Sequence, residues 1–432
     1  MAIRSGELSP VDHVDDVLAR LAGDTCNAVV RLLADEARRD AKELAAELQG
    51  GGWRGPLHGV AVAVKDLIDV AGVPTGCGSN VLRDAAPATQ DAAVVAKLRE
   101  AGAVVVAKTH THEFAYGPTG DVAAQGPARN PHDPTRITGG SSSGSAAAVA
   151  AGHVPLALGT DTGCSIRTPA ALCGVVGFKP TYGRLSTAGV FPLSESCDHI
   201  GLLAADVHGV SVGYDVLARN NSADGVGTGG GIQPPGVDGV TVGVPTDDYW
   251  RVADPVIADA VERAAARLAE AGAVVSRITM PGIDELAACY RPIVGAEAYT
   301  THEHWLTTRR EDYQPITAER LAAAAGQSAT EYVAAQRTRR RVTAELRARL
   351  SEVDVLLTPT TPLRATPIGA VEAAGLQVRP ALLSLTLPFD LTGWPAVSVP
   401  VAPSDGGLPV GVQLVGVRME DRAVLRVAGT LR

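Results

Sequence analysis

Residues 138–180 read TGGSSSGSAAAVAAGHVPLALGTDTGCSIRTPAALCGVVGFKP, and the succession of textures in that stretch decides how the chain folds. Gly139 and Gly140 lead into Ser141, Ser142 and Ser143. An alanine-rich run from Gly144 to Ala151 is helical in composition, Val154 to Leu158 forms a short apolar strand, and Gly159 to Ser165 makes a second polar turn. Two hydroxyl-bearing turns are thus separated by one helix and one strand. Such a unit can fold back so that both turns lie at the same edge of a sheet, with glycines that let backbone N–H groups approach a ligand.

Outward from this stretch the same alternation continues. Ser9, Pro10 and Asp12 open an amphipathic helix with Val11, Val14, Val17, Leu18 and Leu21 at helical spacing, and Asp35 to Leu48 predicts another. Gly59 to Asp66 (GVAVAVKD) is a strand of small and branched residues that ends on Lys65. Leu98 to Val105 (LREAGAVV) returns as Leu268 to Val275 (LAEAGAVV), in each case a helix, a glycine stop and a buried strand. Val240 to Val244, Pro255 to Ala271, Ser328 to Leu350 and Val353 to Leu357 continue the strand and helix order, and Ala396 to Val401 with Pro409 to Val415 flank Ser404–Gly407 as a hairpin. The fold class is α/β, built on a mixed, mostly parallel central sheet covered by helices on both faces.

Composition removes several functions. A chain of 432 residues with 46% hydrophobic and 4% aromatic content buries a large core of Ala, Val and Leu. A formal net charge of −9 argues against nucleic acid, and the basic cluster Arg337–Arg341 reads as a solvated helix face. The N-terminus lacks an apolar signal core, and no apolar run reaches the length of a membrane span, so a cytoplasmic protein is expected, away from membranes. Cysteines 26, 77, 164, 173, 197 and 289 form no CxxC pair and read as reduced, mostly buried thiols.

The catalytic motifs narrow by elimination. Gly140–Gly144 fits G-x-S-x-G with Ser142 central, but a polar loop precedes it where a nucleophile elbow needs a strand, and no histidine follows His304. His110-Thr-His112-Glu113 has no third partner at a metal-ligand spacing. A lysine and serines remain. A strand-end lysine ordinarily points to water. If burial holds Lys65 neutral it can take a serine proton, with an intervening serine relaying it.

These residues resemble the amidase signature family. The resemblance rests on Gly139–Ser145, Ala146–Gly152, Gly159–Arg167, Cys173–Thr181, the Val64-Lys65-Asp66 strand end, Asp354–Thr360 and Gly411–Gly416, which together span essentially the whole chain. It implies a single large domain over 1–432: a helical cover (1–50), a catalytic core (51–220), a Gly/Pro-rich surface excursion (220–238) and a second half completing the sheet and pocket (239–432). In the family the two serines lie 24 positions apart, which fits Ser141 and Ser165. The resemblance then implies Ser165 as nucleophile, Ser141 as a relay held by a cis peptide after Gly140, and Lys65 as base. It further implies backbone N–H groups of Thr162, Gly163, Cys164 and Ser165 as the oxyanion hole, Ser142 and Arg167 in support, and neither a metal nor an organic cofactor.

The activity implied is hydrolysis of a small-molecule carboxamide through an acyl-serine, releasing ammonia or an amine. Hydrolysis of ureido or carbamoyl compounds is an alternative, as is the glutaminase (A) subunit of a tRNA-dependent amidotransferase. Those glutaminases carry an acidic residue a few positions before a Pro-x-Asn-Leu-x-Gly segment, where this chain is apolar (Leu383 to Leu387). Cys164 and Ser143 stand where the family usually has glycine. Cys164 is expected either to pack away from the site or to shape the pocket, and the segment Gly282–Gln327 is expected to contribute to substrate selection. Homo-oligomerisation is left open.

Overall fold

The structure, a computed structural model, describes residues 2–219, 236–418 and 420–431, so most of the expected 220–238 excursion lies outside the described residues. Its strands are β1 (Val29–Leu32), β2 (Ala61–Lys65), β3 (Val104–Thr109), β4 (Leu156–Asp161), β5 (Val176–Lys179), β6 (His199–Ala204), β7 (Thr241–Pro245), β8 (Val274–Ile278), β9 (Val355–Pro359), β10 (Glu372–Ala373), β11 (Leu376–Gln377), β12 (Ala396–Val401) and β13 (Val410–Gly416). All but the small β10–β11 ribbon form one sheet in the order β1-β3-β2-β4-β6-β5-β12-β13-β9-β7-β8. Parallel ladders gather in two places, β3-β2-β4 and β8-β7-β9. Between them the β4-β6-β5-β12-β13-β9 ladders are antiparallel, as is the β1-β3 pair. The sheet is mixed, with a larger antiparallel share than the repeated helix–glycine–strand phrase alone suggests.

Alternation in β2 sets up the two faces. Ala61 and Ala63 pack with the alanines of the Ser143–Ala150 helix and with the Pro10–Ala22 and Ala34–Gln49 helices, whereas Val62 and Val64 face the opposite layer. That layer holds the Ala93–Glu100, Val207–Ala218, Pro255–Glu270 and Asp421–Gly429 helices. A period of two puts Lys65 on the same parity as Ala61 and Ala63. Its side chain therefore leaves the strand tip on the face where the Ser143–Ala150 helix begins. Small side chains on both elements let them approach closely. Gly144 is the tightest point: a Cβ there would lie 2.3 Å from the Ala28 carbonyl oxygen and 2.4 Å from the His110 nitrogen.

Two local expectations need correcting. Gly159, Thr160 and Asp161 extend β4 instead of opening the turn, because β6 pairs with them through Ile200, Gly201 and His199. The second copy of the repeated phrase forms β8, but this strand is not buried; it is a sheet edge, and Val274 is 58% exposed. The identical local sequence forms the same element, and its position in the sheet decides its burial. Among the described residues no helix is long and apolar enough to cross a membrane.

Candidate active site

Lys65 is fully buried, and its Nζ lies 2.7 Å from Ser141 Oγ and 2.7 Å from Thr160 Oγ1. Burial pulls its pKa down from 10.5 to about 7, with the fields of Asp161 and then Asp198 opposing the shift. The amine is therefore available unprotonated near neutral pH. The peptide bond Gly140–Ser141 is cis. Ser142 ties the two polar turns together: its N–H donates to the Ser165 carbonyl at 3.1 Å, its Oγ donates to the Thr160 carbonyl at 3.2 Å, and it accepts from the Thr160 N–H at 3.2 Å. Ser165 is nearly buried and lines a cavity of about 860 Å³. Among the described residues no hydrogen bond joins the hydroxyls of Ser141 and Ser165.

Asp161 closes the turn that carries Ser165. Its Oδ2 accepts from the backbone N–H of Ile166 at 3.1 Å and of Arg167 at 3.4 Å, and from Arg167 Nε at 2.9 Å. The fully buried Arg167 also reaches the Thr386 carbonyl and Gln413 Oε1, both at 2.8 Å, and pairs with Asp390. Burial raises a carboxyl, yet the Arg167 guanidinium holds Asp161 down at about 2, while Asp390, the second acid on the same cation, is pushed up to about 8 by burial against Arg167. One guanidinium keeps one of its two acids ionised. Thr162 Oγ1 donates to Asp198 at 2.6 Å, so the turn is also pinned from its outer side. No backbone N–H of Thr162, Gly163, Cys164 or Ser165 donates to another group among the described residues.

Cys164 and Ser143 fill their positions without strain. Cys164 is buried beside Ser165 at the cavity wall, and its thiol donates weakly to the Gly140 carbonyl at 3.5 Å. Burial pushes that thiol up, so it is no thiolate. Ser143 Oγ lies 2.8 Å from His110 Nδ1, and His110 Nε2 lies 2.8 Å from the Gly126 carbonyl. His112 Nδ1 accepts from the Gly120 N–H at 3.2 Å. Both imidazoles thus have packing partners in the loops around the serine run. All six cysteines are buried and unpaired.

The cavity wall is drawn largely from the segment 282–327, together with Tyr116 and the 379–387 region. Tyr290 leans over the Ser165 turn, since a Cβ on Gly163 would lie 2.5 Å from its Oη. Sequence reading misses Asp161, Thr160, Tyr290, Arg320 and Arg379. The first two lie inside a motif already noticed, whereas the last three reach the cavity from elements far away in the chain. In the Arg337–Arg341 cluster, Arg339 turns inward instead of facing solvent, donating to the Leu391 carbonyl at 2.6 Å and the Ser196 carbonyl at 2.9 Å.

Comparison with known proteins gives concordant results. The Amidase family model matches residues 12–425. AtzE of Pseudomonas sp. (strain ADP), a component of 1-carboxybiuret hydrolase, is 37% identical, with 100% of this chain and 96% of that protein covered. The glutaminase-type (A) component of glutamyl-tRNA(Gln) amidotransferase from Symbiobacterium thermophilum is 38% identical over 98% of this chain and 93% of its own length. The solved native peptide amidase from Stenotrophomonas maltophilia superposes with a TM-score of 0.85 at 29% identity, covering 100% of this chain and 94% of that one.

Proposed function

The chain belongs to the amidase family and is a hydrolase of amide bonds, and on that premise we propose that Ser165 attacks the carbonyl carbon of a small-molecule carboxamide. The proton of Ser165 Oγ passes to Ser141 Oγ while the proton of Ser141 passes to Lys65 Nζ, leaving an ammonium. The tetrahedral oxyanion is received by the uncommitted N–H groups of Thr162, Gly163, Cys164 and Ser165. When the C–N bond breaks, the proton returns along the same hydroxyls to the leaving amine. Water then repeats the sequence against the acyl-Ser165 ester. Ser142 and Arg167 hold the two turns in register.

The observation that carries this reading is the buried amine of Lys65, 2.7 Å from Ser141 Oγ and poised near pH 7. The Ser141 to Ser165 contact closes on substrate binding, as catalytic hydrogen bonds often do when the ligand arrives. Ammonia release from a panel of aliphatic, aromatic, amino-acid and ureido amides tests the reading. Ser165→Ala and Lys65→Ala should both abolish turnover and retain the wild-type circular dichroism spectrum; turnover in either variant would refute it. Labelling of Ser165 by a fluorophosphonate should accompany activity. Six buried free thiols accord with a reducing, cytoplasmic setting.

A second reading, the glutaminase component of an amidotransferase, draws support from the likeness to the Symbiobacterium protein. Leu383, on the cavity wall in the region where the acidic residue of those glutaminases is expected, counts against it. Glutamine hydrolysis that appears only with a partner protein would reverse the order.

A further inference from the structure

The cavity that holds Ser165 is charged opposite to the chain around it. Three guanidiniums, Arg291, Arg320 and Arg379, line it against one carboxylate, Glu319, in a protein with a formal net charge of −9. Arg320 is half-buried, with its guanidinium over the Tyr116 ring at 5.1 Å and Nη1 donating to the Tyr116 carbonyl at 2.5 Å. Among the described residues no carboxylate lies within ion-pair distance of Arg320, and Arg379 reaches Asp121 only at 4.0 Å. Arg167, the other guanidinium taken out of water in this region, has two carboxylates. Burial, and with it the field of Arg379, lowers the pKa of Arg320 despite the opposing pull of Tyr116. A partly desolvated cation beside a second cation lacks a counter-charge, and a carboxylate fits the planar fork of donors that each guanidinium presents.

Resting on the amidase reading above, we propose that the substrate is an amide that carries a carboxylate and no neighbouring ammonium, its carboxylate received by Arg320 and Arg379. The rest of the wall near Arg379 is apolar, with Leu383 and Leu387, and offers an ammonium nothing to bind.

The test uses glutaramate, its uncharged analogue valeramide, and glutamine. Glutaramate should exceed both in kcat/KM, and valeramide by about 100-fold, the worth of one or two charge-assisted hydrogen bonds. In Arg379→Gln and in Arg320→Gln the glutaramate-to-valeramide ratio should fall at least about tenfold, through KM more than kcat. Arg320→Gln also loses the Tyr116 contact, so Arg379→Gln is the decisive variant. Valeramide or glutamine hydrolysed as well as glutaramate, or an unchanged ratio in Arg379→Gln, would overturn the proposal. Glutarate protection of Ser165 from a fluorophosphonate reads the subsite without turnover. Protection with no amide hydrolysed would support the subsite while removing the amidase reading; hydrolysis indifferent to charge would do the reverse.

Discussion

Lys65 should impose a titration on catalysis that an ordinary lysine cannot. Burial brings its pKa to about 7 from 10.5, a displacement of roughly 5 kcal/mol between its two protonation states. At pH 7.4 about 70% of such amines are neutral, against about one in a thousand for a solvated lysine. The enzyme therefore gains close to three orders of magnitude in competent base at neutral pH. The perturbation is pH itself, applied between 5 and 9 with valeramide, whose ionisation does not change over that range. The logarithm of kcat/KM should rise with unit slope and level off near pH 7. Lys65→Arg, which keeps a cation that cannot be deprotonated, should lose about 10³-fold or more at every pH and show no such rise. A flat wild-type profile from pH 6 to 8, or Lys65→Arg within tenfold of wild type, would refute the proposed role of the amine.

The same group makes a prediction about stability. Its folded pKa lies below its unfolded one, so between pH 7 and 10.5 the unfolded chain binds the extra proton and stability rises with pH. The thermal midpoint of Lys65→Met should thus exceed that of wild type by more at pH 7 than at pH 10, and an equal difference would count against the shift. Asp161→Asn, which strips Arg167 of its ionised partner, should cost about 3–5 kcal/mol in urea unfolding at pH 7, whereas Asp390→Asn should cost under about 1 kcal/mol because the acid it replaces is already largely protonated there. Asp161, held near pH 2, contributes stability that is present above pH 3.8 and lost as pH falls through 2. Gly163→Ala should lower kcat/KM about 100-fold on any substrate, since its Cβ would sit 2.5 Å from Tyr290 Oη and displace the wall over the Ser165 turn; wild-type kcat/KM in that variant would deny Tyr290 its position there.

Much of this arrangement can be read from the sequence, because local patterning carries it. The alternation of alanine and valine in β2 assigns Lys65 to a face before any coordinates exist, and the serine run announces the start of a helix that needs small residues. Other features escape because they depend on which strand becomes whose neighbour. Gly159-Thr160-Asp161 has the composition of a turn and becomes strand only because β6 pairs with it. The two copies of the AGAVV phrase are indistinguishable locally, yet one strand is buried and the other is a sheet edge. Arg320 and Arg379 sit in separate helices with nothing local to mark either, and their common destination is set by how those helices lean over the sheet edge. Asp161 is visible as part of a motif, but its role as the anchor of the Ser165 turn follows from Arg167, whose remaining partners lie more than two hundred residues further on.

That last separation orders events during biosynthesis. Lys65, Ser141 and Ser165 all leave the ribosome within the first two-fifths of the polypeptide, while the groups that lock Arg167, Thr386, Asp390 and Gln413, are translated close to the end. A nascent chain thus holds its reactive atoms long before it can aim them, and hydrolytic competence comes only with the closing residues.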